Sequence, residues 1–194
     1  MRLLFAAGLL VSLAACASRP EHLASEDDLS DLSVALVDQD SAAFAFPADL
    51  DGRPAYVTAV YTHCPDVCPM TMAQTQRVRE ALGPDASRVQ FVVLSFDPAR
   101  DTPAVLRSYA ASWSLGPGWR LATGDSAAVA GLMDRLGVRT QVSRRDTFAS
   151  GEVYYALSHT DKAILLDADG HVVETYGGSA APPDLVAQDV RALL

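Results

Sequence analysis

Two nearly continuous apolar runs, Ala55–Tyr61 (AYVTAVY) and Val89–Phe96 (VQFVVLSF), each lead into a segment with helical spacing. β-branched and aromatic runs without polar alternation belong to strands covered on both faces. A chain that repeats strand, turn and helix in this way is restricted to a sheet with helices packed against it.

The punctuation supports that order. Asp51-Gly52-Arg53-Pro54 makes a turn before the first run. Pro69 then opens a helix that Gly83-Pro84 closes, and Thr102 caps a second helix starting at Pro103 and ending near Trp113. Residues 119–123 (WRLAT) form a short strand. Asp125 caps a third helix over 126–136, which Gly137 ends. Earlier in the chain, residues 32–37 and 44–46 read as an edge hairpin around Asp38-Gln39-Asp40-Ser41. Residues 140–151 are polar and read as a loop or excursion leading through an apolar stretch (153–157) to His159. Ala168-Asp169-Gly170 joins two further strands, and Pro182 starts a last helix. The fold class is therefore α/β: a central mixed sheet with helices on both faces and an added N-terminal hairpin, an order that fits a thioredoxin-like fold.

The chain has 194 residues, enough for one sizeable core. Residues 1–15 carry Arg2 and an apolar run, which read as a secretory signal peptide too short for a spanning helix. The run ends Leu13-Ala14-Ala15-Cys16, similar to a bacterial lipobox. Cys16 is then a lipid attachment point, with an ordinary cleavage site as the alternative. Residues 16–32, acidic and without aromatic side chains, read as a flexible lipid-anchored tether. The functional domain is 33–194, on the periplasmic side of a bacterial cell envelope. Net charge is −9, and −10 without Arg2, which argues against nucleic acid as a partner.

The chain has three cysteines. With Cys16 assigned, Cys64 and Cys68 remain in an oxidising compartment as a disulfide, a dithiol or a metal site. They lie in YTHCPDVCPM (61–70), between the first buried strand and the first helix. Each precedes a proline, which disfavours helical backbone and places both in the connecting turn, with Cys68 beside the helix start. The helix N-terminus favours thiolate at Cys68. A disulfide across so short a loop would add little stability. Three intervening residues, where a thioredoxin-type pair has two, weigh toward metal. His63 adjoins Cys64, but neighbouring side chains of an extended chain diverge, so its place is behind the ligands at most. His22 and His171 have no partner suggested by sequence and read as solvated.

YTHCPDVCP, SFDPARDTP (95–103) and LSHT before AILLD together resemble the Sco/SenC family of copper chaperones. The resemblance covers nearly all of the chain after the tether. It implies one copper ion held by Cys64, Cys68 and His159 and delivered to the CuA site of cytochrome c oxidase, on subunit II or on another copper acceptor, with a thiol reductant to keep the pair reduced. Two thiolates and an imidazole suit Cu(I) and tolerate Cu(II), whereas structural zinc takes four protein ligands. Asp97 and Asp101 match the family's acidic positions, where they would orient a ligand or contact a partner; turn and helix-start roles explain them equally well. Ser41 stands where the family commonly has glycine, and AVYT (59–62) replaces a more usual phenylalanine and glycine before the motif. The main alternative is a thiol–disulfide reductase using Cys64 and Cys68 to keep oxidase cysteines reduced; a thiol peroxidase lacks its usual threonine and arginine support.

Overall fold

The computed structural model describes residues 20–25, 27–151 and 153–194. The expected signal peptide and Cys16 lie outside the described residues. Eight strands form one mixed sheet: β1 (Asp27–Asp28), β2 (Ser33–Asp38), β3 (Ala43–Pro47), β4 (Ala55–Val60), β5 (Gln90–Ser95), β6 (Trp119–Gly124), β9 (Ala163–Leu166) and β10 (His171–Tyr176). Their order is β1-β10-β9-β4-β5-β6-β2-β3. The helices are α1 (Val67–Leu82), α2 (Pro103–Ser112), α3 (Ser126–Arg135) and α4 (Pro183–Arg191).

β4, β5 and β6 run parallel, as strand–helix–strand crossovers require, while β9 lies antiparallel against β4. Every residue of β4 and of β5 is buried, so both faces of the sheet centre are covered. This is the thioredoxin-like arrangement. α1 and α4 pack on each other, and α3 contacts β2 and β6. The capping residues act as their types dictate. Thr102 accepts from the Val105 amide at 3.4 Å, and Asp125 accepts from Ala127 and Ala128 at 2.9 and 3.1 Å. Gly137 leaves α3 with φ 66°. β2 and β3 pair antiparallel at the sheet edge.

Three segments differ from the expectations above. First, α1 begins at Val67, so Cys68 is its second residue and not part of the turn. Pro69 costs nothing there because first-turn amides have no intrahelical partner, and that tolerance outweighs the bias on the residue before proline. Second, residues 140–151 are not a loop: Thr140–Thr147 (β7) pairs antiparallel with Val153–His159 (β8) as a two-stranded ribbon separate from the main sheet. Third, the described part of the 16–32 segment is docked, not loose. Leu23 and Leu29 are fully buried, β1 pairs with β10, and Arg135 bonds Asp27 at 3.2 Å and the Asp28 carbonyl at 2.7 Å. Two leucines were enough to anchor a stretch whose average composition is that of a tether.

Candidate metal centre

β4 delivers the chain to the Tyr61–Cys64 turn, closed by the Cys64 amide donating to Tyr61 O at 3.2 Å. α1 then carries Cys68, and β8 ends on His159. These elements bring the sulfurs of Cys64 and Cys68 and a ring nitrogen of His159 within 4.8 Å of one another. Both thiols are free, Cys64 half-buried and Cys68 buried. His159 Nε2 lies 3.3 Å from Cys68 Sγ, and Nδ1 lies 2.9 Å from the Thr160 carbonyl. A carbonyl only accepts, so Nδ1 carries the proton of the neutral ring and Nε2 turns its lone pair to the sulfurs. Phe96 packs on the imidazole at 4.7 Å between centroids and Tyr61 meets it edge-on at 6.4 Å, walling the site with apolar surface.

Burial pushes the Cys68 thiol well above its ordinary range, and the hydrogen bond and charge of Cys64 push the same way. This overturns the expectation that the helix N-terminus would favour thiolate there. Removing a sulfur from water outweighs about half a charge of helix dipole. Before metal binds, Cys68 is a thiol donating to Nε2. Two sulfurs and one imidazole nitrogen at this spacing make a compact soft donor set.

The Asp97–Asp101 segment braces the site from two sides. Asp101 is fully buried and accepts from the Thr62 amide at 3.0 Å, the Thr62 hydroxyl at 2.6 Å and the Ser95 hydroxyl at 2.6 Å. It thereby fixes the turn two residues before Cys64. Asp97 accepts from the Tyr155 hydroxyl at 2.6 Å and from Arg100 Nε. Arg100 donates to the Tyr155 carbonyl at 2.8 Å and lies 3.5 Å over the Tyr155 ring. Burial, with the bonded Asp97 carboxylate, pushes the Tyr155 phenol up to about 12. Tyr61 adds a second hold on β8: its hydroxyl accepts from the Leu157 amide at 3.2 Å and donates to the Leu157 carbonyl at 3.3 Å.

His63 is half-exposed and stands outside the donor cluster, with Nδ1 3.0 Å from Thr62 Oγ1 and 3.8 Å from Asp101. The other two histidines are not the solvated bystanders expected. His22 lies 2.9 Å from Asp189 Oδ1, and His171 lies 3.3 Å from Asp167 Oδ2; in each case the fold supplies a carboxylate that is distant or turn-bound in sequence. Sequence reading missed Tyr155, Phe96 and Asp161. Only the last, two residues beyond His159, carried a local signal.

A sequence profile described as SCO1/SenC matches residues 26–194. The chain belongs to the SCO1/SenC family. A putative copper-binding protein of Stutzerimonas stutzeri is 31% identical over 136 residues, covering 70% of this chain and 63% of that one. An SCO2-like protein of Rickettsia felis is 26% identical over 152 residues, covering 78% and 71%. The solved structure of Bradyrhizobium japonicum ScoI with copper bound superposes with a TM-score of 0.70 at 31% identity, covering 84% of this chain and 98% of ScoI. The SCO1/SenC match thus spans the docked β1 segment as well as the whole cysteine-bearing domain.

Proposed function

We propose that this chain is a copper chaperone: Cys64, Cys68 and His159 bind one copper ion and pass it to an acceptor, such as the CuA site on subunit II of cytochrome c oxidase. The carrying observation is that two free thiols and an imidazole, from three separate elements, present their donor atoms within 4.8 Å of each other. A copper-bound relative at 31% identity supports copper over other soft metals. Three ligands hold Cu(I) while leaving room for an incoming one, so transfer proceeds by ligand exchange in a shared complex. The ring nitrogen at the end of an exposed ribbon is the donor most easily replaced. Val142, Phe148 and Val153 on that ribbon, and Met70 beside Cys68, are exposed apolar side chains fit to meet an acceptor surface. Cys16 would tether the domain to a membrane of the cell envelope, and an external thiol reductant would keep the pair reduced.

A thiol–disulfide reductase reading draws on the unequal burial of the cysteines. Half-buried Cys64 would attack a target disulfide. Cys68 would then resolve the mixed disulfide, leaving the target as a dithiol and the pair oxidised. His159 separates the two readings. Titrating reduced protein with copper in competition with a chelator, and assaying disulfide reduction in parallel, is the test. His159→Ala should lower copper affinity by about tenfold or more while sparing reduction. Copper affinity at wild-type strength in the variant would remove His159 from the site.

A further inference from the structure

We propose that Asp161 is a positioning residue of the metal site: its carboxylate ties the chain leaving His159 to α1 and so fixes the imidazole against Cys68. The inference rests on the copper-binding reading above. Thr71 lies one helical turn after Cys68, on the same side of α1. Its fully buried hydroxyl lies 3.0 Å from Asp161 Oδ1 and 3.1 Å from Val67 O, between which it shares its proton. The Ser179 amide donates to both carboxylate oxygens, at 3.1 and 2.9 Å, and the Ser179 hydroxyl donates to Oδ2 at 2.5 Å. One carboxylate therefore joins α1, the segment after β8, and the loop between β10 and α4. Charge-assisted bonds of this kind are the stronger class.

Space has been left for it. A Cβ on Gly178 would come within 2.3 Å of Asp161 Oδ1 and 3.1 Å of Thr71 Cγ2, so any larger residue there displaces the carboxylate. The Asp161 amide shares its peptide plane with the Thr160 carbonyl, the group that holds His159 Nδ1 at 2.9 Å. Fixing Asp161 fixes that carbonyl, the carbonyl sets the tautomer, and Nε2 is left facing Cys68 Sγ at 3.3 Å. A closed path thus runs from one donor to the other: Cys68, Thr71, Asp161, Thr160, His159. Asp161 touches none of the three donor atoms. It acts through His159, as hydrogen-bond partners behind a metal's ligands do.

The test is a double-mutant cycle on the reduced full-length chain, reading Cu(I) affinity by chelator competition. Asp161→Ala should weaken binding about 10–100-fold, and Thr71→Val, which keeps the side-chain volume, by a smaller factor. In a His159→Ala background neither substitution should weaken it further, because the ligand through which they act is gone. In the metal-free protein, imidazole 15N shifts should report Nδ1–H in the wild type and a mixture of tautomers in Asp161→Ala. Losses that add to that of His159→Ala, or an unchanged tautomer, would overturn the proposal while leaving the copper reading intact. A wild-type chain that bound no copper would overturn both. Should Asp161→Ala fail to fold, Thr71→Val carries the same cycle with the same two outcomes.

Discussion

At the scale of single residues, the buried Cys68 thiol governs how metal binding depends on pH. Its folded pKa is raised above the ordinary value of 9.0, so at neutral pH the metal-free protein holds this proton and must release it on binding. Copper affinity should therefore rise with pH between about 5 and 8, by up to tenfold per unit for each proton released. Isothermal titration in buffers of different ionisation enthalpy counts the protons; none released would mean that the sulfurs are already thiolates. Because the shift is upward, Cys68 contributes to metal-free stability fully below the unfolded thiol's pKa. That contribution is lost as pH rises through the folded one. A second residue matters only to folding. Ser41 has φ 64°, with its amide donating to Asp38 O at 3.0 Å, in a left-handed position that favours glycine. Ser41→Gly should stabilise the protein by about 0.5–1 kcal/mol, read as a shift in the urea midpoint with unchanged slope.

Among the elements, the β7–β8 ribbon decides how firmly His159 is presented. Tyr155→Phe removes a hydroxyl bonded to a buried carboxylate and should cost about 1–3 kcal/mol locally. Amide hydrogen exchange across β7–β8 should quicken and copper affinity fall several-fold, whereas unchanged protection would mean that the Tyr155–Asp97 bond does not hold the ribbon. This ribbon was also the least legible part of the sequence. Seven of the eight β7 residues are exposed, so neither face meets the core and no two-residue alternation is written into it. β4 and β5 were legible for the opposite reason, since burial on both faces leaves only apolar and β-branched choices. The start of α1 was displaced by two residues because proline tolerates the whole first turn. His159 was found by family likeness. Its Thr160 and Asp161 supports were not, because Thr71 and Ser179, which bond Asp161, and Arg139, which bonds Thr160, are distant in sequence.

For the whole molecule, the docked N-terminal segment extends the folded domain back to Leu23. Leu23 and Leu29 are fully buried, and Arg135 binds across to Asp27. Leu29→Ala should lower unfolding free energy by about 2 kcal/mol or more in urea denaturation. No change would return the segment to the status of a free leash. Among the described residues no helix is long and apolar enough to cross a membrane.

X-ray absorption at the copper edge, on reduced full-length protein loaded with one equivalent, reads the donor set itself. Two sulfur scatterers and one imidazole nitrogen are expected, with the nitrogen contribution lost in His159→Ala and copper released in Cys64→Ser and Cys68→Ser. Identical spectra with and without His159, or copper retained when both sulfurs are gone, would contradict a site built from these three residues.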